Sequence, residues 1–187
     1  MNARRWLLVL AALWLGVLAP AQAAITTLPR MERLATAAPS PPPASLAGTK
    51  VPMPDAVDAA AVAAVGSALW YRGHFELAPS APLRQSWAVY LPYLYEGGQV
   101  WLNGALVGEV PENDGRVRVK WERPYLFDVS GGVLHAGRNE LLLRVAASPM
   151  RERLRAPLLQ IGPSPEVQPV YDQRLFWIRT MPQITAL

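Results

Sequence analysis

The dipeptide Asn103-Gly104 constrains what this chain can fold into more than any other feature. It separates Val100-Trp101-Leu102 from Ala105-Leu106-Val107-Gly108-Glu109, with apolar alternation on both sides. A two-residue type I′ turn needs positive φ at both central positions, which Asn and Gly accept and most residues resist. The stretch therefore reads as a tight antiparallel β-hairpin.

The residues around it continue the β pattern. Leu69–Leu77 reads as a first strand, and Gln85–Leu91 as a second with Trp87, Val89 and Leu91 on one face. Arg116–Trp121 alternates basic and apolar residues, as a half-buried strand does, and Pro124–Val129 follows as another. Gly137-Arg138-Asn139 turns the chain into Glu140–Ala146, whose Leu-Leu-Leu-Arg-Val centre suits a strand buried on both sides for part of its length. Leu158–Gly162 is the last strand expected. Short strands at this spacing, punctuated by Pro and Gly, predict an all-β fold, an antiparallel β-sandwich and not a βαβ unit.

The ends differ in character. Met1–Ala23 reads as a secretory signal peptide: Arg4 and Arg5, an uncharged apolar run from Trp6 to Leu18, then Ala21-Gln22-Ala23. A spanning helix needs about 20 apolar residues, and Pro20 interrupts this run. Residues 24–54, with Pro39-Ser40-Pro41-Pro42-Pro43, read as a disordered Pro/Ala-rich linker of extended geometry. The folded domain is expected over residues 55–165. Within it, Asp55–Val65 has strong helix propensity, with Asp55 as N-cap and Gly66 as stop. Residues 166–187 read as a juxtamembrane or C-terminal segment with some helix. There Phe176 and Trp177 lie between Arg174 and Arg179, as aromatic and basic residues do at headgroup level.

Charge narrows the partners. The chain carries 18 basic and 14 acidic residues. Loss of Arg4 and Arg5 with the signal leaves 16 against 14, a net of +2, so the pI near 9.8 overstates the basicity of the exported part. Lysine occurs only at Lys50 and Lys120, and no basic patch forms, which argues against nucleic acid. Cysteine is absent, so an exported form must hold its core by packing alone; a bacterial periplasm suits this.

Trp70-Tyr71-Arg72 with Phe75, Val100–Gly104 with Val107-Gly108, Phe127-Asp128-Val129 and Gly137–Leu141, in that order, resemble one known family. They are similar to the jelly-roll (galactose-binding-like) sugar-binding domain of family 2 glycoside hydrolases, as also found in the extracytoplasmic input regions of bacterial sensor histidine kinases and diguanylate cyclases. The likeness runs from Leu69 to about Gly162. It implies a jelly-roll β-sandwich in which Trp101 fills the core beneath the hairpin. The family's His and Gly-Gly-Tyr/Phe segment after the hairpin is replaced here by Val110-Pro111-Glu112-Asn113-Asp114-Gly115, and the catalytic barrel is absent. The resemblance therefore points to an input domain on the periplasmic side of the inner membrane, joined to the membrane through residues beyond Leu187. An accessory domain of a secreted glycosidase and a dimerisation module, self-associating as a homodimer, are the alternatives.

Catalytic patterns are thin. His74 falls on the polar face of a strand and His135 in a Gly-rich turn. No metal-ligand spacing and no Gly-x-Ser-x-Gly elbow occurs, and no cofactor is called for. Glu109, Glu112 and Asp114 are close in sequence but lack the oxygen-ligand spacing of a calcium loop, and Asn113-Asp114-Gly115 suits an ordinary turn. The aromatic residues carry more. Tyr93 and Tyr95 sit in a loop leading into the hairpin, and Trp121, Arg123 and Tyr125 cluster at a second turn. Aromatic faces stack on pyranose rings while Arg and acids bond hydroxyls, so these five are the candidate ligand-binding residues. Trp70, Trp87 and Trp101 are expected in the core. The expected partners are a carbohydrate or other small ligand, or a periplasmic protein.

Overall fold

The computed structural model describes residues 25–112, 123–148 and 151–184. It has twelve strands in chain order: β1 Thr26–Thr27, β2 Arg30–Leu34, β3 Thr49–Pro52, β4 Asp55–Asp58, β5 Ala68–Leu77, β6 Trp87–Leu91, β7 Gly98–Leu102, β8 Ala105–Val110, β9 Tyr125–Val129, β10 Gly137–Ala146, β11 Arg153–Ala156 and β12 Gln160–Pro163. A six-stranded sheet runs β3-β2-β5-β10-β7-β8 and a four-stranded sheet β1-β12-β6-β9, with β11-β4 as a small third sheet. Every pairing is antiparallel. The antiparallel β-sandwich expected from the strand spacing is the observed fold.

The hairpin has the geometry that its turn dictates. Leu102 pairs with Ala105, and Asn103 and Gly104 take φ of 49° and 82°. The Asn103 side chain also ties the hairpin to the turn before β10. Its Nδ2 donates to Val133 O and Asn139 Oδ1, each at 2.7 Å, and its Oδ1 accepts from Glu140 N at 2.8 Å.

Period-two alternation sorts the long strands. Leu69, Tyr71, Phe75 and Leu77 of β5, Leu141, Leu143 and Val145 of β10, and Val100 and Leu102 of β7 face the inter-sheet core. Trp87, Val89, Leu91, Val129 and Ile161 answer from the four-stranded sheet. Gly108 marks a close approach: a Cβ there would run into the Phe127 ring of the facing sheet.

Both outer faces are covered, and here the structure corrects the expectation. Residues 24–54 are no linker. β2 pairs with β5 (Arg33 with Tyr71, Leu34 with Trp70) and with β3, so this stretch forms one side of the six-stranded sheet. The proline-rich connection, residues 35–48, crosses the sheet's outer face. Leu46 and the half-buried Trp101 pack there on a second apolar cluster of Leu34, Trp70 and Leu142. Trp101 thus lies opposite to the core position expected of it, because Val100 and Leu102 both point inward and alternation sends it out. Trp70 and Trp87 are buried as expected, although Trp70 belongs to the outer cluster.

The helix expected over 55–65 is shorter. Asp55–Asp58 is a strand paired with β11, and only α1, Ala59–Ala63, is helical. Asp55 caps nothing; its carboxylate receives Arg33 Nη1 at 3.0 Å and the Tyr71 hydroxyl at 3.1 Å. A tertiary partner strand has overridden local helix propensity. No sequence pattern announces β11 itself. The expected strand at Arg116–Trp121 lies outside the described residues.

At the C-terminus α2, Ser164–Leu175, lies against β12, β6 and β9, with Val167 fully buried. This is why Ala88 and Tyr90, on the outward side of β6, are as buried as the core side. The helix continues as a π turn, Phe176–Thr180, and then α3, Met181–Ile184. No helix among the described residues is long and apolar enough to cross a membrane.

Candidate functional site

Register gathers the candidate residues at one end of the sandwich. β6 ends at Leu91, opposite Tyr125 at the start of β9. β7 begins at Gly98, opposite both Val145 near the end of β10 and Val110 at the end of β8. The loop 92–97, the entry to β9 and the loop after β10 therefore leave the sheets on the same side. The Asn103-Gly104 hairpin and His135 lie at the other end.

In the loop 92–97 Leu94 turns into the core, so Tyr93 and Tyr95 on either side of it are set free to meet. Their rings stack with centroids 4.6 Å apart and planes 16° from parallel. The Arg151 guanidinium lies over the Tyr95 ring, 5.0 Å from its centre. Arg151 Nε also pairs with Glu96 Oε1, and Glu96 is buried. Its second oxygen, Oε2, has no hydrogen-bond partner among the described residues. A carboxylate held under such a stack fixes the arginine, and the arginine fixes the ring. Burial pushes the Tyr93 phenol above the usual tyrosine value, Tyr95 adds to the rise, and Arg155 opposes it. Tyr93 thus stays a neutral donor, half-buried, beside a cation.

The chain makes its closest approach next to this stack. Gly97 has φ of 88°, and a Cβ there would collide with Pro111 O. That contact brings up Glu112, which pairs with the buried Arg144. Glu109 instead accepts from Gln99 Nε2 at 3.1 Å. Two of the three acids grouped in sequence are therefore taken by different partners, while Asp114 lies outside the described residues.

The second aromatic group divides. Tyr125 stacks on Phe127 (6.1 Å, 15°) along β9, and both pack on the main core. Burial raises the Tyr125 phenol, opposed by the nearby Arg123. Arg123 is exposed, and Trp121 lies outside the described residues. Tyr93 and Tyr95 are thus brought together, and Tyr125 with Arg123, as two neighbouring groups at one end. Sequence reasoning missed Glu96 and Arg151. A lone Glu beside two glycines and an Arg 55 positions later carry no local signal of pairing.

The histidines are held by structural partners. His74 Nε2 lies 3.5 Å from Glu140 Oε2, and His135 Nδ1 lies 3.4 Å from Asn103 Nδ2. Among the described residues no three His, Asp or Glu side chains converge as a metal site.

No protein-family model matches the chain, and no curated protein sequence matches it. Solved structures do. A β-glucuronidase from an uncultured Clostridium sp. superposes with a TM-score of 0.51 at 13% identity, over 78% of this chain and 30% of that one. The β-glucuronidase of Bifidobacterium dentium, complexed with coumarin-3-O-glucuronide, gives 0.51 at 20% identity over 69% and 21%. That of Ruminococcus gnavus gives 0.50 at 10% identity over 77% and 29%. The chain spans under a third of these enzymes. At such identities the likeness is one of fold, and it agrees with the glycoside-hydrolase sandwich domain that the sequence motifs resemble.

Proposed function

We propose that this chain is an extracytoplasmic ligand-binding domain of a bacterial membrane signalling protein of the histidine kinase or diguanylate cyclase type, and that its ligand is a carbohydrate. The observation that carries the binding role is the Tyr93–Tyr95 stack, held by Arg151 and Glu96 at the end of the sandwich where three connections meet. Half-buried stacked tyrosines suit a pyranose ring, with Arg123 and the Tyr93 hydroxyl as hydrogen-bonding groups for its hydroxyls. Binding, not catalysis, is the reading: both histidines and two of the three grouped acids already have structural partners. A ligand that prefers one arrangement of this end would shift the population of the domain. The signal-like pattern of Met1–Ala23 supports a location on the periplasmic side of the inner membrane.

A second reading draws on the structural likeness to β-glucuronidases: an accessory carbohydrate-binding domain of a secreted glycoside hydrolase. Both readings share the saccharide. They differ in the chain expected beyond Leu187, a membrane span in the first and a catalytic barrel in the second.

A thermal-shift screen against mono- and oligosaccharides, with the solution mass measured alongside, tests the proposal. A ligand of the folded state raises the melting temperature by mass action. The expected result is a saccharide-specific rise that disappears in Y93A/Y95A. No rise with any sugar overturns the carbohydrate reading, and a dimeric mass in that case points to a protein-contact module.

A further inference from the structure

We infer that the end of the C-terminal helical segment, from Gln173 onward, docks on an anionic lipid surface through Phe176, Trp177, Arg174 and Arg179. The inference stands independently of the tyrosine stack and goes beyond the binding role above.

The segment has two halves. The first is anchored: Val167 is fully buried, and its methyl lies 3.0 Å from where a Cβ on Gly162 would sit. Asp172, the last acid of the sequence, is held on the helix by Gln168 Nε2 at 2.9 Å. The second half turns two aromatic rings outward. Phe176 is 44% exposed and Trp177 57%, and their rings meet edge to face at 5.6 Å. Among the described residues only Leu106 is another large apolar side chain so exposed.

Charge points to the occupant. From Gln173 to Leu187 the sequence holds Arg174 and Arg179 and no acid. A cationic tip with two adjoining aromatic rings complements a surface of anionic headgroups, with the rings sitting at headgroup level and the arginines pairing with phosphate. No helix among the described residues is long and apolar enough to cross a bilayer, and a segment of this kind meets the lipid at its surface.

Vesicle co-sedimentation of the full chain tests this, with phosphatidylcholine alone or mixed with phosphatidylglycerol. Every variant keeps the same N-terminal apolar run, so differences between variants report the C-terminal segment. Wild type is expected to bind the anionic vesicles tens of times more tightly than the neutral ones. F176A/W177A should weaken that binding tenfold or more, by about the affinity of two interfacial rings. R174Q/R179Q should cut the preference for anionic lipid by about fivefold per arginine, the contribution of Arg4 and Arg5 being the same in every protein. Both pairs are exposed, and unchanged melting temperatures check that the fold is intact. Equal binding by wild type and F176A/W177A overturns the inference. So does a fall in oligomeric mass in F176A/W177A with vesicle binding unchanged, which assigns the patch to a second copy. Failure of the saccharide screen bears on neither outcome.

Discussion

The guanidinium of Arg72 donates to the carbonyl oxygen of Pro43, 2.8 Å away across 29 residues of chain. The same group reaches Leu46 O at 2.8 Å and Ala44 O at 3.3 Å, while its Nε lies 3.2 Å from Glu140 Oε2. Trp70 Nε1, nearby on the same strand, donates to Ala38 O at 2.8 Å. A buried arginine and a tryptophan thus hold the proline-rich connection on the outer face of the sheet. Ala44 O and Leu46 O thereby gain a side-chain donor from the sheet, while Pro43 O also accepts from Leu46 N at 3.0 Å.

Arg72→Met should destabilise the fold by about 3 kcal/mol, because it removes the guanidinium donors to three carbonyls of the connection and the cation facing Glu140. Arg72→Lys should recover little, since an ammonium cannot fork to carbonyls on both sides. Denaturant unfolding measures the loss, and limited proteolysis of the native protein should show new cleavage within 35–48. A variant as stable and as protease-resistant as wild type would mean that the loop is held by apolar contact alone.

Asn103→Ala should cost about 3 kcal/mol, combining lost hydrogen bonds with alanine's poorer tolerance of positive φ than asparagine's. Asn103→Gly removes the same bonds without the strain, so its midpoint in urea should fall between alanine and wild type. Equal losses for the two would show that the side-chain network carries the whole effect.

Tyr71 gives the pH dependence its sign. Burial holds its phenol well above the usual tyrosine value; the Asp55 charge and the hydrogen bond to Asp55 add to this, and Arg33 opposes it. The unfolded chain ionises Tyr71 near 10.0 while the folded chain keeps it neutral. Its contribution is therefore complete below pH 10 and is lost as pH rises further. The melting temperature should drop above that pH, and Tyr71→Phe, about 1 kcal/mol less stable at neutral pH, should drop less steeply. Parallel alkaline melting curves for the two proteins would remove Tyr71 as the cause.

Gly108→Ala should cost about 1–3 kcal/mol, since its Cβ would enter the Phe127 ring and the two sheets would have to part. Adding Phe127→Leu opens that space, and the double variant should be more stable than the two single losses predict. Strict additivity in a chemical-denaturation cycle would show that the sheets do not touch there.

Much of the fold was legible because its signals are local. The Asn103-Gly104 turn, the alternation in β5 and β6, and the Gly137-Arg138-Asn139 turn into β10 each read correctly from a handful of neighbouring residues. Helix propensity misled at Asp55, where a strand partner about a hundred residues away outweighed it. Composition misled at residues 24–54, where proline and alanine resemble a linker even when a sheet binds them. Of the candidate site, the two tyrosines of the loop 92–97 were visible as aromatic residues in a turn. The arginine and glutamate that hold them were not, because nothing near Glu96 announces Arg151.

The sequence by itself determined the long central strands β5, β6 and β10 and the β7–β8 hairpin, since a two-residue period and a turn type are properties of adjacent residues. Only the tertiary structure decided what covers the outer faces: the proline-rich connection on one sheet and the C-terminal helix on the other. Those choices rest on Arg72 meeting carbonyls 26 to 29 positions earlier and on Val167 seating beside Gly162. Such contacts join segments whose local patterns are silent about each other, so they come into being only when the chain has folded and the groups lie within hydrogen-bonding or van der Waals reach.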